Sequence, residues 1–138
     1  IRDQVGSLIC EHSLLYSRAT LGFDDLTDAE KATMRPVRQS LVRTHPLSGR
    51  KSIYLASHIG KIIGWPVPEA LAFIRDLTEH ATQPDRVYSH AWRKHDLIMW
   101  DNRCTLHRAR RYDPTQIRDM RRTTVAGTDL TAEQAEAA

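Results

Sequence analysis

Residues 37–57 read VRQSLVRTHPLSGRKSIYLAS and contain two extended runs around a reversing turn. The runs are Val37 to His45 and Lys51 to Ser57, and Pro46 to Arg50 separates them. Proline and glycine in this interval favour a turn, because proline presets φ and glycine tolerates the left-handed region. The stretch therefore predicts a β-hairpin.

Helical signals occur on both sides of this hairpin. Residues 2–15 have a helical apolar period that runs into an extended segment. Thr27-Asp28-Ala29-Glu30 fits a capping box, in which the threonine hydroxyl and the glutamate carboxylate satisfy free backbone donors, and predicts a short helix to about Met34. From Pro66 the apolar residues recur at helical spacing and predict the longest helix, with Ala70, Leu71, Ile74, Leu77 and Ala81 on one face.

Further strands are predicted after this helix. They are expected at Arg86–Trp92, Asp96–Trp100, about Thr105–Ala109 and Arg121–Ala126, with a mostly buried run at 97–100. Short strands around one long helix indicate a mainly β fold with flanking helices (α+β), either an antiparallel sandwich or a jelly roll. A jelly roll needs about eight strands, and about six are recognisable, so we expect only the C-terminal portion of such a fold.

Length and composition indicate one globular domain or part of one. The chain has 138 residues, of which 41% are hydrophobic and 27% charged, near the average for soluble domains. No apolar run approaches the roughly 18 to 20 residues of a membrane span, and the N-terminus lacks a signal-peptide core. We expect a cytoplasmic protein with no membrane association, a domain portion over residues 1–127 and a disordered tail over 128–138. The first residue is Ile1, so upstream coding sequence is also expected.

The basic residues favour an acidic partner. Sixteen of the twenty are arginine, and seven of these lie between Arg103 and Arg122. Arginine recognises carboxylate and phosphate by paired hydrogen bonds better than lysine does. A small acid and a nucleic acid are both compatible with this cluster, but a nucleic-acid site would call for interleaved aromatics, and the stretch contains only Tyr112. Cys10 and Cys104 are too few and too far apart for a disulfide framework or a local metal motif, which predicts reduced thiols.

Candidate chemistry lies close to the end of the chain. His107 sits among arginines that disfavour its protonation, so a neutral imidazole able to bind metal is expected. Arg118 and Arg122 are four residues apart and would share one side of an extended chain, as a carboxylate clamp. A hydrogen-bonded structural histidine and solvated arginines are the alternatives. The sequence has no motif of zinc peptidases, serine hydrolases or nucleotide-binding loops.

Several segments together resemble a known family. They are Leu41–Pro46, Ser48–Lys51, Trp100-Asp101-Asn102-Arg103 with His107, and Arg118 with Arg121-Arg122. These segments resemble the C-terminal half of the taurine dioxygenase / 2,4-dichlorophenoxyacetate dioxygenase family, whose members are Fe(II)- and 2-oxoglutarate-dependent oxygenases on a double-stranded β-helix, or jelly roll. Four more segments resemble the dichlorophenoxyacetate branch: His12-Ser13, Tyr16–Arg18, Glu79–Pro84 and Arg110–Asp113.

The resemblance implies a role for each matching residue. His107 corresponds to the distal histidine of a 2-His-1-carboxylate iron site. Arg118 and Arg122 belong to the co-substrate side, where Arg118 pairs with the far carboxylate of 2-oxoglutarate and Arg122 also lies toward the substrate acid. His58 and Ile59 line the substrate pocket, although His58 is equally compatible with a hydrogen-bonded loop histidine. Asp101, Asn102 and Arg103 are implied to orient the strand that holds His107 without binding the metal themselves, and Trp100 is expected in the core.

One departure from the family pattern concerns the other two iron ligands. The family supplies them from a His-x-Asp/Glu motif upstream, and none of the seven histidines here has an acid two residues later. The family's 2-oxoglutarate-binding threonine is also expected upstream. The implied reaction is hydroxylation of a small acidic substrate by molecular oxygen, with release of succinate and CO2, and a homo-oligomer is common in the family. The substrate is open among phenoxyalkanoates, sulfonates, sulfate esters and other acids. A small arginine-rich anion- or nucleic-acid-binding module is the alternative from another class.

Overall fold

The structure is a computed structural model that describes residues 2–23, 25–127 and 130–136. The strands are β1 (Ile9–His12), β2 (Val37–Ser40), β3 (Val42–Thr44), β4 (Lys51–Ile53) and β5 (Ile59–Ile62). The helices are α1 (Arg2–Val5), α2 (Leu14–Ala19), α3 (Asp28–Thr33), α4 (Val67–Ala81) and α5 (Ala132–Glu136), with a 3-10 turn at Pro84–Arg86.

The strands form two antiparallel sheets. In the larger sheet β1 lies between β2 and β5, and its register pairs Cys10 with Gln39 on one side and with Ile62 on the other. The register between β1 and β5 shifts at Glu11/His12, which marks an irregularity of the bulge type. The smaller sheet pairs β3 with β4. This pairing confirms the predicted hairpin, whose turn contains Gly49 at a φ of +66° that favours glycine.

Leu41 divides the first extended run between the two sheets. Val37–His45 is predicted as one strand of the hairpin, but only its second part, β3, pairs with β4, whereas β2 pairs with β1. The N–H of Leu41 donates to Leu8 O at 2.8 Å, and its carbonyl accepts from Tyr54 N at 2.7 Å. The backbone of one residue therefore bonds both to the chain entering β1 and to the chain leaving β4.

The core lies between the larger sheet and α4. Its buried members are Val5, Cys10, Leu41, Leu55, Ile59, Ile62, Ala70 and Ile74. The predicted apolar face of α4 supplies Ala70 and Ile74, and Leu77 and Ala81 of the same face are packed against the core. Cys10 and Cys104 are both free thiols, as predicted, and burial raises the pKa of Cys10 to about 11, so that its thiol stays protonated.

Two short helices begin with capping boxes. The Thr27 hydroxyl accepts from Glu30 N, and a Glu30 carboxylate oxygen accepts from Thr27 N at 2.9 Å, which confirms the predicted cap of α3. Thr131 and Gln134 make the same reciprocal pair at α5. The structure thus places a short helix within the tail predicted to be disordered, while residues 128, 129, 137 and 138 of that tail lie outside the described residues.

The strands predicted after α4 are absent from the described residues 86–127. Arg86–Trp92, Asp96–Trp100, Thr105–Ala109 and Arg121–Ala126 have no strand assignment, and these predictions are wrong for the structure observed. The run 97–100 is not buried either, since Leu97 is 87% and Met99 88% exposed. A strand needs a neighbour for its backbone groups. In this part of the chain the backbone makes local turn bonds instead, such as Asp96 N to Arg93 O at 3.1 Å.

The longest described helix is the fifteen-residue α4. No helix within 2–23, 25–127 and 130–136 is both long enough and apolar enough to cross a membrane.

Replacing Leu41 with alanine should destabilise the chain by about 2 to 5 kcal/mol. Leu41 is fully buried between the sheets, so the truncation removes apolar contacts and leaves a cavity. The free energy of unfolding in urea measures this loss. Leu47→Ala makes the same chemical change at a turn residue that is 89% exposed, and should shift that free energy by less than about 0.5 kcal/mol. Equal effects of the two variants would contradict the described core.

His12 is a buried histidine without a hydrogen-bond partner at Nε2. Its ring stacks on Tyr54 with 5.3 Å between centroids, and Arg43 lies over that Tyr54 ring at 4.6 Å. Burial, followed by the charges of His58 and Arg43, lowers the pKa of His12 from 6.5 to about 4. The folded chain therefore holds this imidazole neutral.

This pKa predicts a stability that depends on pH. Between pH 6.5 and 4 the unfolded chain binds a proton at His12 that the folded chain does not, so stability should fall by up to about 3 kcal/mol as the pH decreases through this window. His12→Phe keeps a ring against Tyr54 and should remove this part of the dependence, measured by urea unfolding at several pH values. His80→Phe changes an exposed histidine and should leave the dependence in place. An unchanged profile in His12→Phe would show that His12 is not its source.

Candidate functional site

The segment 100–107 carries the candidate metal ligand and is shaped by contacts of its own side chains. Trp100 Nε1 donates to Asn102 Oδ1 at 2.7 Å. The Trp100 ring packs against the imidazole of His107, with 5.0 Å between centroids and 47° between planes. Trp100 is 37% exposed and does not lie in the core as predicted; it serves as the surface on which His107 rests.

Asp101 organises the turn between these two rings. Its Oδ1 accepts from the backbone N–H and the Nε of Arg103, both at 2.9 Å, and its Oδ2 accepts from Arg103 Nη2 at 2.6 Å. These bonds, and then one from His45, hold the pKa of the Asp101 carboxyl well below its usual range. Asp101 is therefore a carboxylate at neutral pH, and the paired bonds fix the guanidinium plane of Arg103.

The hairpin is connected to this turn through His45. His45 Nε2 lies 3.1 Å from Asp101 Oδ2 and 3.2 Å from Arg103 Nη2. The backbone N–H of Ser48 donates to His45 Nδ1 at 3.2 Å, so Nδ1 is the acceptor and the proton belongs on Nε2, where it is donated to Asp101. Ser52 Oγ, on β4, also donates to Arg103 O at 3.3 Å. The two sides of the hairpin thus both bond to the Asp101–Arg103 turn.

The two candidate arginines make contacts away from His107. The guanidinium of Arg118 lies over the ring of Tyr112 at 5.2 Å, and Arg122 is exposed. In the described part of the chain no hydrogen bond or ring contact joins His107 to either arginine. The structure therefore brings together His107, Trp100, Asn102 and, through the turn, Asp101 and Arg103, but not His107 with Arg118 and Arg122.

The residues present fit an iron site only in part. His107 is exposed, and neither ring nitrogen has a hydrogen-bond partner among the described residues, so a nitrogen is available for a metal. However, no group of three histidine, cysteine or acidic side chains within those residues could hold an ion. One imidazole of a three-ligand set does not make a site, and no reaction step through a metal follows from this chain alone.

His58 has a defined tautomer. Ser17 Oγ donates to Leu14 O at 3.0 Å, so it accepts from His58 Nδ1, which lies 2.8 Å away. The backbone of His58 also accepts from Ser13 N at 2.8 Å. Nδ1 therefore carries the proton that is donated to Ser17 Oγ, and Nε2 is the nitrogen with a lone pair.

Ile59, the other residue predicted in the substrate pocket, is buried on β5. It lines a groove of about 730 Å3 between α2 and α4, whose walls include Tyr16, Leu71, Ile74 and Thr78. None of the residues lining this groove belongs to the segment that carries His107. Helix α4 and the turn at Asp101 therefore border separate parts of the surface.

Sequence reasoning misses the roles of His45 and Ser17. His45 stands out in the sequence only as part of the Thr44-His45-Pro46 segment, and its partner Asp101 lies 56 residues further along the chain. No periodic pattern relates residues at that separation. The one local signal is the position of Ser48 three residues after His45 in a turn. In such a turn the serine N–H can donate to the imidazole.

The chain is similar over most of its length to enzymes of one group. It is 45% identical over 126 residues to an alpha-ketoglutarate-dependent 2,4-dichlorophenoxyacetate dioxygenase of Burkholderia sp. strain RASC, an alignment that covers 91% of this chain and 42% of that protein. It is 37% identical over 134 residues to an (S)-phenoxypropionate/alpha-ketoglutarate-dioxygenase of Sphingobium herbicidovorans, covering 92% of this chain and 46% of the relative. The chain thus spans about half the length of the curated relatives it matches.

A solved structure supports the same relationship. The crystal structure of AAD-2 in complex with Mn(II) and N-oxalylglycine superposes with a TM-score of 0.89 at 60% sequence identity, over 95% of this chain and 52% of that one. A family model described as taurine catabolism dioxygenase TauD, TfdA family, matches residues 5–124. These findings confirm the resemblance predicted from the sequence. The chain belongs to the taurine catabolism dioxygenase TauD, TfdA family.

Proposed function

We propose that this chain contributes to an Fe(II)- and 2-oxoglutarate-dependent dioxygenase that hydroxylates a small acidic substrate of the phenoxyalkanoate class. The observation that carries the proposal is the segment Trp100-Asp101-Asn102-Arg103 with His107, in which the imidazole rests on Trp100 and leaves its ring nitrogens without a partner among the described residues. Relatives at 45% and 37% identity are named as phenoxyacetate and phenoxypropionate dioxygenases. Both act on aryl ethers of short carboxylic acids, which suits a site rich in arginine.

Each proposed site residue has a chemical role. His107 supplies one iron ligand, and the bound iron supplies the activation of dioxygen. Arg118 pairs with the far carboxylate of 2-oxoglutarate. Arg122 lies on the co-substrate side and binds the acid group of the substrate. A guanidinium suits both tasks because it binds a carboxylate by two parallel hydrogen bonds. The exposed side chains of both arginines are compatible with binding small anions.

The proposed supporting residues act through position. The Asp101 carboxylate and the Arg103 guanidinium close the turn before His107, and Asn102 fixes the indole on which His107 rests. His58 and Ile59 are proposed to line the substrate pocket. Because Nδ1 of His58 is occupied by Ser17, its Nε2 is the nitrogen that would face a substrate.

We also propose that the two sheets are part of a double-stranded β-helix. The antiparallel order β2-β1-β5 and the separate β3–β4 pair are compatible with the two layers of such a fold. Residues 87–125 carry exposed apolar side chains at the positions expected of strands: Tyr88, Trp92, Leu97, Met99, Leu106 and Val125. Apolar exposure on this scale favours association with further β-structure.

The alternative function is an arginine-rich anion- or nucleic-acid-binding module. Arg103 is bonded to Asp101, Arg121 is paired with Asp119 at 2.8 Å, and Arg118 lies over Tyr112. These contacts reduce the number of guanidinium groups directed at an outside phosphate. A module of this kind would bind oligonucleotides with an affinity that falls steeply as salt increases, whereas the oxygenase predicts no such binding.

The complete gene product should release succinate from 2-oxoglutarate in an Fe(II)-dependent way when a phenoxyalkanoate is present. His107→Ala should abolish turnover because it removes a metal ligand, and Arg118→Ala should chiefly raise the KM for 2-oxoglutarate because it removes a carboxylate partner. Succinate release with and without iron measures both effects. Arg35→Ala, an exposed arginine between α3 and β2 and outside the groove that Ile59 lines, is the matched control and should leave turnover unchanged.

The 138-residue chain by itself should be inert in this assay and bind Fe(II) weakly. A single imidazole cannot hold a labile divalent ion against water. Robust turnover by this chain alone, or by His107→Ala in the complete gene product, would overturn the proposed role of His107.

The same 138-residue chain should self-associate as its concentration increases, as measured by light scattering. The proposed double sheet leaves the apolar side chains of residues 87–125 without a partner layer, and such surface drives association. Met99→Glu should reduce association. Leu47→Glu introduces the same charge at an equally exposed residue of the hairpin turn and should have little effect. A monodisperse monomer at all concentrations would contradict the proposed fold portion.

A further inference from the structure

The contact between His45 and Asp101 joins two parts of the molecule that are distant in sequence. His45 begins the hairpin turn after β3, and Asp101 begins the turn that leads to His107. The imidazole of His45 is 17% and the carboxylate of Asp101 33% exposed, so solvent reaches this bond only in part. A histidine–carboxylate bond at 3.1 Å in such a setting is a specific contact rather than a chance surface pair.

We propose that His45 is a positioning residue that sets the place of the His107 imidazole by attaching the 100–107 turn to the hairpin. The inference rests on the proposed function for its consequence, since His107 matters as a metal ligand. Its structural part stands on the observed contacts alone. His45 does not touch His107; it acts through Asp101 and Trp100.

The geometry assigns different tasks to the bonds of the turn. The Asp101–Arg103 pair spans two residues, so it fixes the shape of the turn but cannot fix where the turn lies. The bond from His45 connects the same carboxylate to the hairpin, 56 residues away. Ser52 Oγ also bonds to the turn, but at Arg103 O and at 3.3 Å, so His45 is the attachment of Asp101 itself. Asp101 is followed directly by Asn102, which holds the Trp100 indole, and the indole supports His107. Displacement of Asp101 therefore displaces the surface under His107.

The hairpin fixes the His45 ring from its other side. Ser48 N–H and Ser48 Oγ both lie within 3.2 Å of Nδ1, and His45 N and O bond to Arg50 O and Gly49 N within the turn. With Nδ1 accepting, Nε2 must be the donor toward Asp101. One imidazole thus carries two bonds with opposite roles, and each can be removed separately.

Two substitutions separate these bonds. The amide nitrogen of glutamine reaches about the position of Nε2, so His45→Gln retains a donor to Asp101. Asparagine reaches about the position of Nδ1, so His45→Asn retains an acceptor for Ser48 N–H but loses the bond to Asp101. The matched control is His90→Asn, which removes a similar bond, His90 Nε2 to Asp96 Oδ2 at 2.9 Å, in the preceding turn.

The first measurement is the NMR shift of the His107 ring protons, which the ring current of the adjacent Trp100 displaces. In the 138-residue chain, at a concentration at which light scattering shows no association, His45→Asn should lose this displacement, whereas His45→Gln and His90→Asn should keep it. A displacement that survives in His45→Asn, or is lost equally in His90→Asn, would overturn the proposal. Urea unfolding of each variant excludes a general loss of the fold. If His45→Asn does not fold, His45→Gln decides, because loss of the displacement in this variant but not in His90→Asn would overturn the proposal.

The second measurement uses the complete gene product. His45→Asn should raise the Fe(II) concentration for half-maximal succinate release by about tenfold or more, because loss of a residue that positions a metal ligand weakens metal binding by about this factor. His45→Gln should keep this concentration close to that of the unsubstituted protein. Normal iron dependence of His45→Asn in an active enzyme would overturn the functional part of the inference. Absence of turnover in the unsubstituted protein would instead count against the proposed function, and the NMR result would still decide the position of His107.

Discussion

The backbone of Leu41 connects the two sheets, and the arrangement of the molecule depends on it. Its N–H bonds to Leu8 before β1 and its carbonyl to Tyr54 after β4, while its side chain is completely buried. A backbone group inside a core must be paired, so this residue can adopt few other positions. The larger sheet and the hairpin are thereby held in a fixed relation, and the hairpin turn is placed where His45 reaches Asp101.

Three histidines illustrate how the surroundings of an imidazole decide its chemistry. His12 is buried without a partner at Nε2, and the fold keeps it neutral. His45 is partly buried but bonded on both nitrogens, to Ser48 and to Asp101. His107 is exposed and rests against Trp100. Of these three, only His107 combines access with a ring nitrogen that has no hydrogen-bond partner among the described residues, which is what metal binding requires.

The part of the chain that follows α4 shows what a strand needs in order to form. Apolar residues at 87–125 have the composition of strands, yet their backbones make turn bonds and their side chains remain exposed. Sheet hydrogen bonds are made between strands, so composition cannot produce a strand whose partner is not in place. The expectation that Trp100 lies in the core fails for the same reason, and Trp100 lies instead at the surface beside His107.

The local features of this protein were determined by the sequence itself. The capping box of Thr27 and Glu30, the helix that ends at Ala81 and the turn around Gly49 all depend on residues within one or two turns of each other. The motif that contains His107 is also local, and its residue types and spacing are sufficient to indicate the family. Tertiary structure alone decided the division at Leu41 and the bond between His45 and Asp101. These contacts join residues far apart in the chain, where neither periodicity nor propensity carries information.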